Sequence, residues 1–200
     1  MTATAASSYP AQLTFDAPLK VARWRVFFAG LICIPHFVVL YALNLVAELT
    51  TVVSWFAIMF TGKDIEGLQG MRCMALRYSI RTQACAGFLL ETYPPFTFAT
   101  TGADPGDFAG LRVDYQPQLE GRNRVTTFFR ILLIIPHVVV LAVLFLGVFV
   151  CFLIGWFAVL FTGAWPEGLR GFIVKVQRWG VRLGAYMYLL TDEYPPFTLD

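Results

Sequence analysis

The chain has two histidines, His36 and His137, and both sit in the same setting, directly after proline in Ile-Pro-His. Imidazole titrates near neutral pH and ligates iron and other transition metals. Brought together by internal symmetry, the pair would suit a haem iron, a metal ion or a proton relay. The competing expectation is structural. Proline removes a backbone N–H and frees the carbonyl four residues earlier, which a nearby imidazole N–H can satisfy. His36 and His137 are thus the candidate cofactor residues, with haem weighed against no cofactor at all.

Arginine recurs in the same paired way. Arg77 and Arg81 match Arg178 and Arg182, and residues four apart share one face of a helix. Together with Lys175 they form a basic face suited to anionic lipid headgroups, or to pairing with Asp192 and Glu193. Glu66 and Glu167 open these same helices, where a carboxylate favours the helix dipole. Trp55 and Trp156 lie near the ends of apolar runs and are read as interfacial anchors. No GxGxxG, P-loop, HExxH, GxSxG or paired-carboxylate motif occurs, so no catalytic residue is assigned and no enzyme is expected. The four cysteines have no CxxC spacing and no counterparts between repeats, which predicts free thiols rather than a metal site.

These recurrences follow from a duplication. Shifting the chain by 101 positions lays Arg23–Thr97 on Arg124–Thr198 without a gap, and about two positions in five are identical. Hydrophobic residues make up 58% of the chain and charged residues only 14%, against roughly 25% charged in a soluble domain. Residues 26–61 hold one charge, Glu48, and residues 131–161 hold none. Each run exceeds the roughly 20 residues needed to cross a bilayer. The fold class expected is therefore an all-α integral membrane protein of two tandem repeats. A net charge of +2 without a basic, aromatic-studded patch excludes nucleic acid as a partner. The N-terminal MTATAASSYPAQ lacks the charged start of a cleaved signal.

Residues 1–97 form repeat 1, 98–110 a Gly/Pro/Asp linker, and 111–200 repeat 2. Each repeat opens on a short extended segment, QLTFD at 12–16 or GLRVDY at 110–115. Apolar helices follow at 24–61 and 124–161, ended by Thr-Gly. Amphipathic helices at 66–90 and 167–190, expected to lie in the headgroup layer, lead to a YPPFT exit. One helix from Val26 to Thr61 would measure about 54 Å, against about 30 Å of hydrocarbon. Each stretch is read either as a hairpin of two short spans or as one kinked helix. The positive-inside rule favours the hairpin, because four crossings put all 15 Lys and Arg on one side. Parallel repeats, a multi-pass cytoplasmic-membrane location and cytoplasmic termini follow from that choice.

The strings FFRxLLxIPHxVVL, WFAxLFTGxxPEGLRGF and LLTDEYPPF resemble a bacterial family, domain of unknown function 4389, in its tandem-repeat form. The resemblance runs from Leu13 to Asp200 and is closest in repeat 2. It implies a small multi-pass membrane protein and no assigned activity. The function expected is a non-enzymatic scaffold or accessory subunit of a bacterial membrane complex, or a homo-oligomer. The alternatives are a small transporter or channel, and a haem or metal redox carrier built on the histidines.

Overall fold

A computed structural model describes residues 9–199; residues 1–8, part of the segment read above as carrying no cleavable signal, and Asp200 lie outside the described residues. In chain order the elements are β1 (Ala11–Phe15), α1 (Arg25–Ile32), α2 (Ile34–Thr61), α3 (Glu66–Ala86), β2 (Leu111–Tyr115), α4 (Arg124–Thr162) and α5 (Glu167–Met187). α2 and α4 are long and apolar enough to cross a membrane.

The hairpin expectation is corrected by these helices. α4 runs unbroken for 39 residues through Pro136. Repeat 1 has only a brief break at Cys33, placing Pro35 in the first turn of α2, where its missing N–H costs nothing. The middle of α2, Asn44–Thr51, where a hairpin would have to turn, contains no helix breaker. The Thr50 and Thr51 hydroxyls instead donate back to the Val46 and Ala47 carbonyls at 2.6–3.0 Å, a helix-compatible use of their hydrogen bonds. Gly62 and Gly163, at φ of 74° and 73°, close α2 and α4 as left-handed caps. The amphipathic helices end three to four residues early, because Phe88 and Leu189 adopt φ of 42° and 59°. Leu89 and Leu190 then donate to the Ala84 and Ala185 carbonyls, the reversed bond of a Schellman end.

The two repeats are antiparallel, not parallel, and a pseudo-twofold axis relates them. Trp55 Nε1 donates to the Thr127 carbonyl at 3.2 Å, and its counterpart Trp156 donates to the Val26 carbonyl at 3.0 Å. The Arg122 amide donates to Gly62 and the Val21 amide to Gly163, again 101 positions apart. β1 and β2 pair antiparallel with Leu13 opposite Val113, so the sheet straddles the same axis. The end of α2 therefore meets the start of α4, and the end of α4 meets the start of α1.

Three layers result. α3 packs along α2 and α5 along α4, and the β1–β2 ribbon covers α3 and α5 from the other side. The large exposed apolar side chains are concentrated on α1, α2 and α4, among them Tyr41, Phe60, Val38, Ile131 and Val143. The α3 and α5 helices expose almost none, their apolar residues being spent in the core with Val113, Phe108 and Trp165.

Candidate functional site

Each Ile-Pro-His lies against the YPPF of its own repeat. His36 is fully buried, stacked on Phe96 at 4.2 Å with the rings 9° apart, edge-on to Tyr93, and within 2.6 Å of the Tyr78 hydroxyl through Nδ1. His137 is buried likewise, stacked on Phe197 at 3.9 Å and beside Tyr194. The Trp179 indole N–H donates to its Nδ1 at 3.0 Å. An indole only donates, so Nδ1 accepts and the neutral ring carries its proton on Nε2. Both Nε2 atoms are buried without a protein partner.

The tyrosines of these cages reach the backbone beside each proline. Tyr93 and Tyr194 donate their hydroxyls to the Ile32 and Leu133 carbonyls, in the turn that each Ile-Pro-His loosens. These carbonyls adjoin the ones four residues before each proline, Leu31 and Leu132. All ring partners of each histidine lie in its own repeat, and the structure does not assemble the two imidazoles into one axial pair.

The recurring arginines point inward, which corrects the headgroup expectation for three of them. Arg77, Arg81 and Arg182 are 2–3% exposed. Arg77 Nε donates to the Val113 carbonyl at 3.0 Å and Arg178 Nε to Leu13 at 3.1 Å, so each fastens the strand of the opposite repeat at its centre. Arg81 and Arg182 reach Thr97 and Thr198, tying each YPPFT to its helix. Arg81 also pairs with Asp104 and Asp107 in the linker. Burial alone would raise the Asp107 carboxyl, but hydrogen bonds from Thr97 and Arg81 hold it below its usual range. Arg178 is half-buried, and Lys175 alone of the five stands exposed. Asp192, offered as an alternative partner, is engaged by other arginines. Glu66 and Glu167 do occupy the first turns of α3 and α5.

A second buried network lies where α2 ends and α4 begins. Arg72 pairs with Asp64 at 2.6 Å, both side chains fully enclosed, and donates to the Tyr188 carbonyl. Arg122 joins Asp192 at 2.8 Å and the Leu189 carbonyl; Arg130 joins Asp192 at 2.6 Å and the Tyr186 and Thr191 carbonyls. Three guanidinium groups thus serve the bare C-terminal carbonyls of α5 and neutralise its dipole. At the other end Arg25 does this for α3, donating to the Leu90 and Glu91 carbonyls, and Arg170 reaches the Leu89 carbonyl at 3.4 Å. Arg25 also lies against Cys85, whose thiol is drawn down to about 7 by its hydrogen bond with Cys33 against the effect of burial, with Arg25 assisting. All four cysteines are free. Among the described residues no cluster of three His, Cys, Asp or Glu forms a metal site.

Between the repeats lies a cleft of about 480 Å³, lined by Asn44, Ser79, Gln83, Phe145, Gln177 and Tyr188 among others. The Gln177 side-chain oxygen is buried there without a partner. Glu48, one helical turn beyond Asn44, acts on Tyr188 and helps burial to raise its phenol.

The family model described as Domain of unknown function (DUF4389) matches residues 23–97 and again 124–198. The chain belongs to this family. Both matches begin at the arginine before the apolar helix and end on YPPFT, so the DUF4389 unit is the apolar helix, the partner helix and the segment closing the histidine cage. β1, the linker and β2 fall outside it. No curated protein and no solved structure matches the chain.

Sequence reading missed four members of the α5 network, Asp64, Arg72, Arg122 and Arg130. Arg130 does for Thr191 what Arg25 does for Leu90, yet the two do not align. Arg25 matches Thr126, and Arg130 matches Ala29, one helical turn away on the same face. Comparison by helix face instead of by position would have found Arg130.

Proposed function

We propose that this protein is a non-catalytic, membrane-embedded platform that serves a larger bacterial membrane assembly as scaffold or accessory subunit. One observation carries the reading. The apolar side chains of α1, α2 and α4 are left exposed over nearly their whole length, while the opposite layer is closed by buried ion pairs. An apolar surface of that extent needs lipid or protein against it. The polar layer is rigid by construction, with its arginines committed to carbonyls and carboxylates, which suits a docking platform better than moving catalytic machinery. Membrane fractionation followed by native co-purification and mass spectrometry tests this. Retention in the membrane with a reproducible partner or a homo-oligomer is expected. Release without detergent, or a partnerless monomer, would refute it.

The inter-repeat cleft favours a second reading, a carrier for a small polar or amphipathic solute, since Gln177, Gln83 and Asn44 offer uncharged hydrogen-bonding groups within apolar walls. Solute flux in reconstituted vesicles distinguishes it. The redox-carrier reading has less support, because each imidazole is enclosed by its own cage.

A further inference from the structure

We infer that α1, α2 and α4 lie along the membrane in a single leaflet, with the β layer facing water, and that neither long helix crosses the bilayer. The inference rests on the membrane reading above and concerns how the molecule is seated. Its partner is the acyl region of one lipid leaflet.

Three observations carry it. The first is the position of the axis. It exchanges the two ends of the molecule, one at Gly62–Lys63 with Arg124, the other at Lys20–Val21 with Gly163. Anything on the axis is equidistant from both ends. The β1–β2 ribbon straddles it, centred on Leu13 and Val113. If α4 spanned the bilayer, the ribbon would stand level with the hydrocarbon centre. Its exposed charges, Asp16 and Arg112, and the nearby Asp107 would face lipid there. Charged side chains are least tolerated at that depth.

The second is length. α4, at 39 residues, measures about 58 Å, nearly twice the hydrocarbon thickness. Lying flat removes the mismatch. The third is Glu48, exposed midway along α2. A spanning α2 would hold that carboxylate at the bilayer centre, where charge is least tolerated. A flat α2 takes that carboxylate away from the bilayer midplane.

Seated this way, Lys20, Arg23, Lys63 and Arg124 fringe the two ends at headgroup level, where cations meet lipid phosphate. All cations then lie on one side of the membrane with no hairpin needed.

The three lysines of the chain test the seating without any substitution. Lys20 is at one end, Lys63 at the other and Lys175 on α5, and all are exposed. Sealed right-side-out and inside-out membrane vesicles from expressing cells are treated with a membrane-impermeant amine reagent, and modified peptides are read by mass spectrometry. In-plane seating predicts that all three lysines are modified from one face and spared from the other. Modification of Lys20 and Lys63 from opposite faces, or of neither from any face, overturns the inference while leaving membrane embedding intact. Alkaline carbonate extraction of the same vesicles, if it frees the protein, overturns the membrane reading itself.

Discussion

The two repeats fill one equivalent space in different ways, and exchanging the fillings measures how far the duplication governs packing. In repeat 2 the Trp165 indole lies against Gly155, so close that a Cβ there would fall 1.9 Å from the ring, and its N–H donates to the Phe88 carbonyl at 2.8 Å. The counterparts in repeat 1 are Ser54 for Gly155, Asp64 for Trp165 and Arg72 for Ile173. Asp64→Ala leaves the Arg72 guanidinium buried without its carboxylate and is expected to cost about 3–5 kcal/mol. At this chain length that is a drop of roughly 10 °C in Tm. The triple variant Ser54→Gly, Asp64→Trp, Arg72→Ile imports the repeat 2 solution. Replacing a buried ion pair by packed apolar groups is often neutral. Arg122 keeps Asp192 and the Leu189 carbonyl, Ser54 Oγ has no partner to lose, and Tyr188 forfeits one hydrogen bond of about 1 kcal/mol. The imported indole can share the Leu189 carbonyl, the counterpart of Phe88, which has a second lone pair. Thermal unfolding in detergent, followed by circular dichroism, should place the triple variant within a few degrees of the parent. A triple variant as unstable as Asp64→Ala would refute the equivalence.

Gly155→Ala in an otherwise unchanged chain should destabilise by about 1–3 kcal/mol or more in the same assay, because overpacking against Trp165 outweighs a helix-propensity gain of about 1 kcal/mol. Trp55→Phe and Trp156→Phe each remove one bond across the axis; matched losses of about 1 kcal/mol that add in the double variant are expected, the two sites being far apart. Burial alone would raise the Asp192 carboxyl, but hydrogen bonds from Arg122 and the Asn123 amide, helped by the Arg122 and Arg130 charges, hold it low. Its folded value lies below the ordinary value of about 4, so its contribution is complete above that pH and is lost as pH falls through the lower folded value. Asp192→Asn should therefore lower stability at neutral pH and flatten the acid limb of a Tm-against-pH series.

Local pattern carried well from sequence to structure, and relations between repeats did not. The Thr-Gly caps, the entry of Glu66 and Glu167 into their helices, and the extended segments at 12–16 and 110–115 depend on neighbouring residues, and all appear where the spacing puts them. The hairpin failed because hydrophobic length and charge asymmetry constrain which side of a bilayer a residue occupies and leave the path of the backbone open. The threonines at 50 and 51 lie where a hairpin would have to turn, yet inside a helix they bond to their own backbone. The recurring arginines read as a lipid-facing stripe, because helical angles tell which residues share a face and not what that face meets. Their true targets are the Val113 and Leu13 carbonyls, main-chain atoms of strands 36 and 165 positions away, which side-chain pattern cannot reveal. The histidine cages were half legible: IPH and YPPF stood out as repeated strings, and only the fold brings them together.

Fusion of the repeats frees the two ends of the molecule to differ. Two separate copies of one repeat, related by a true twofold axis, would carry identical ends. In this chain the end at Lys63 holds five interlocked charges, Asp64, Arg72, Arg122, Arg130 and Asp192, on the terminus of α5. The end at Lys20 holds Arg25, a close pair of thiols and the packed Trp165 on the terminus of α3. The midpoint differs as well, with Asn44 and Glu48 of α2 standing where α4 has Phe145 and Phe149. The elements that hold the axis, Trp55 with Trp156, Arg77 with Arg178 and Leu13 with Val113, retain their symmetry. The divergences at the two ends and the midpoint leave these axis contacts intact, and a partner that distinguishes one end from the other has the Asp64 network and Glu48 by which to do so.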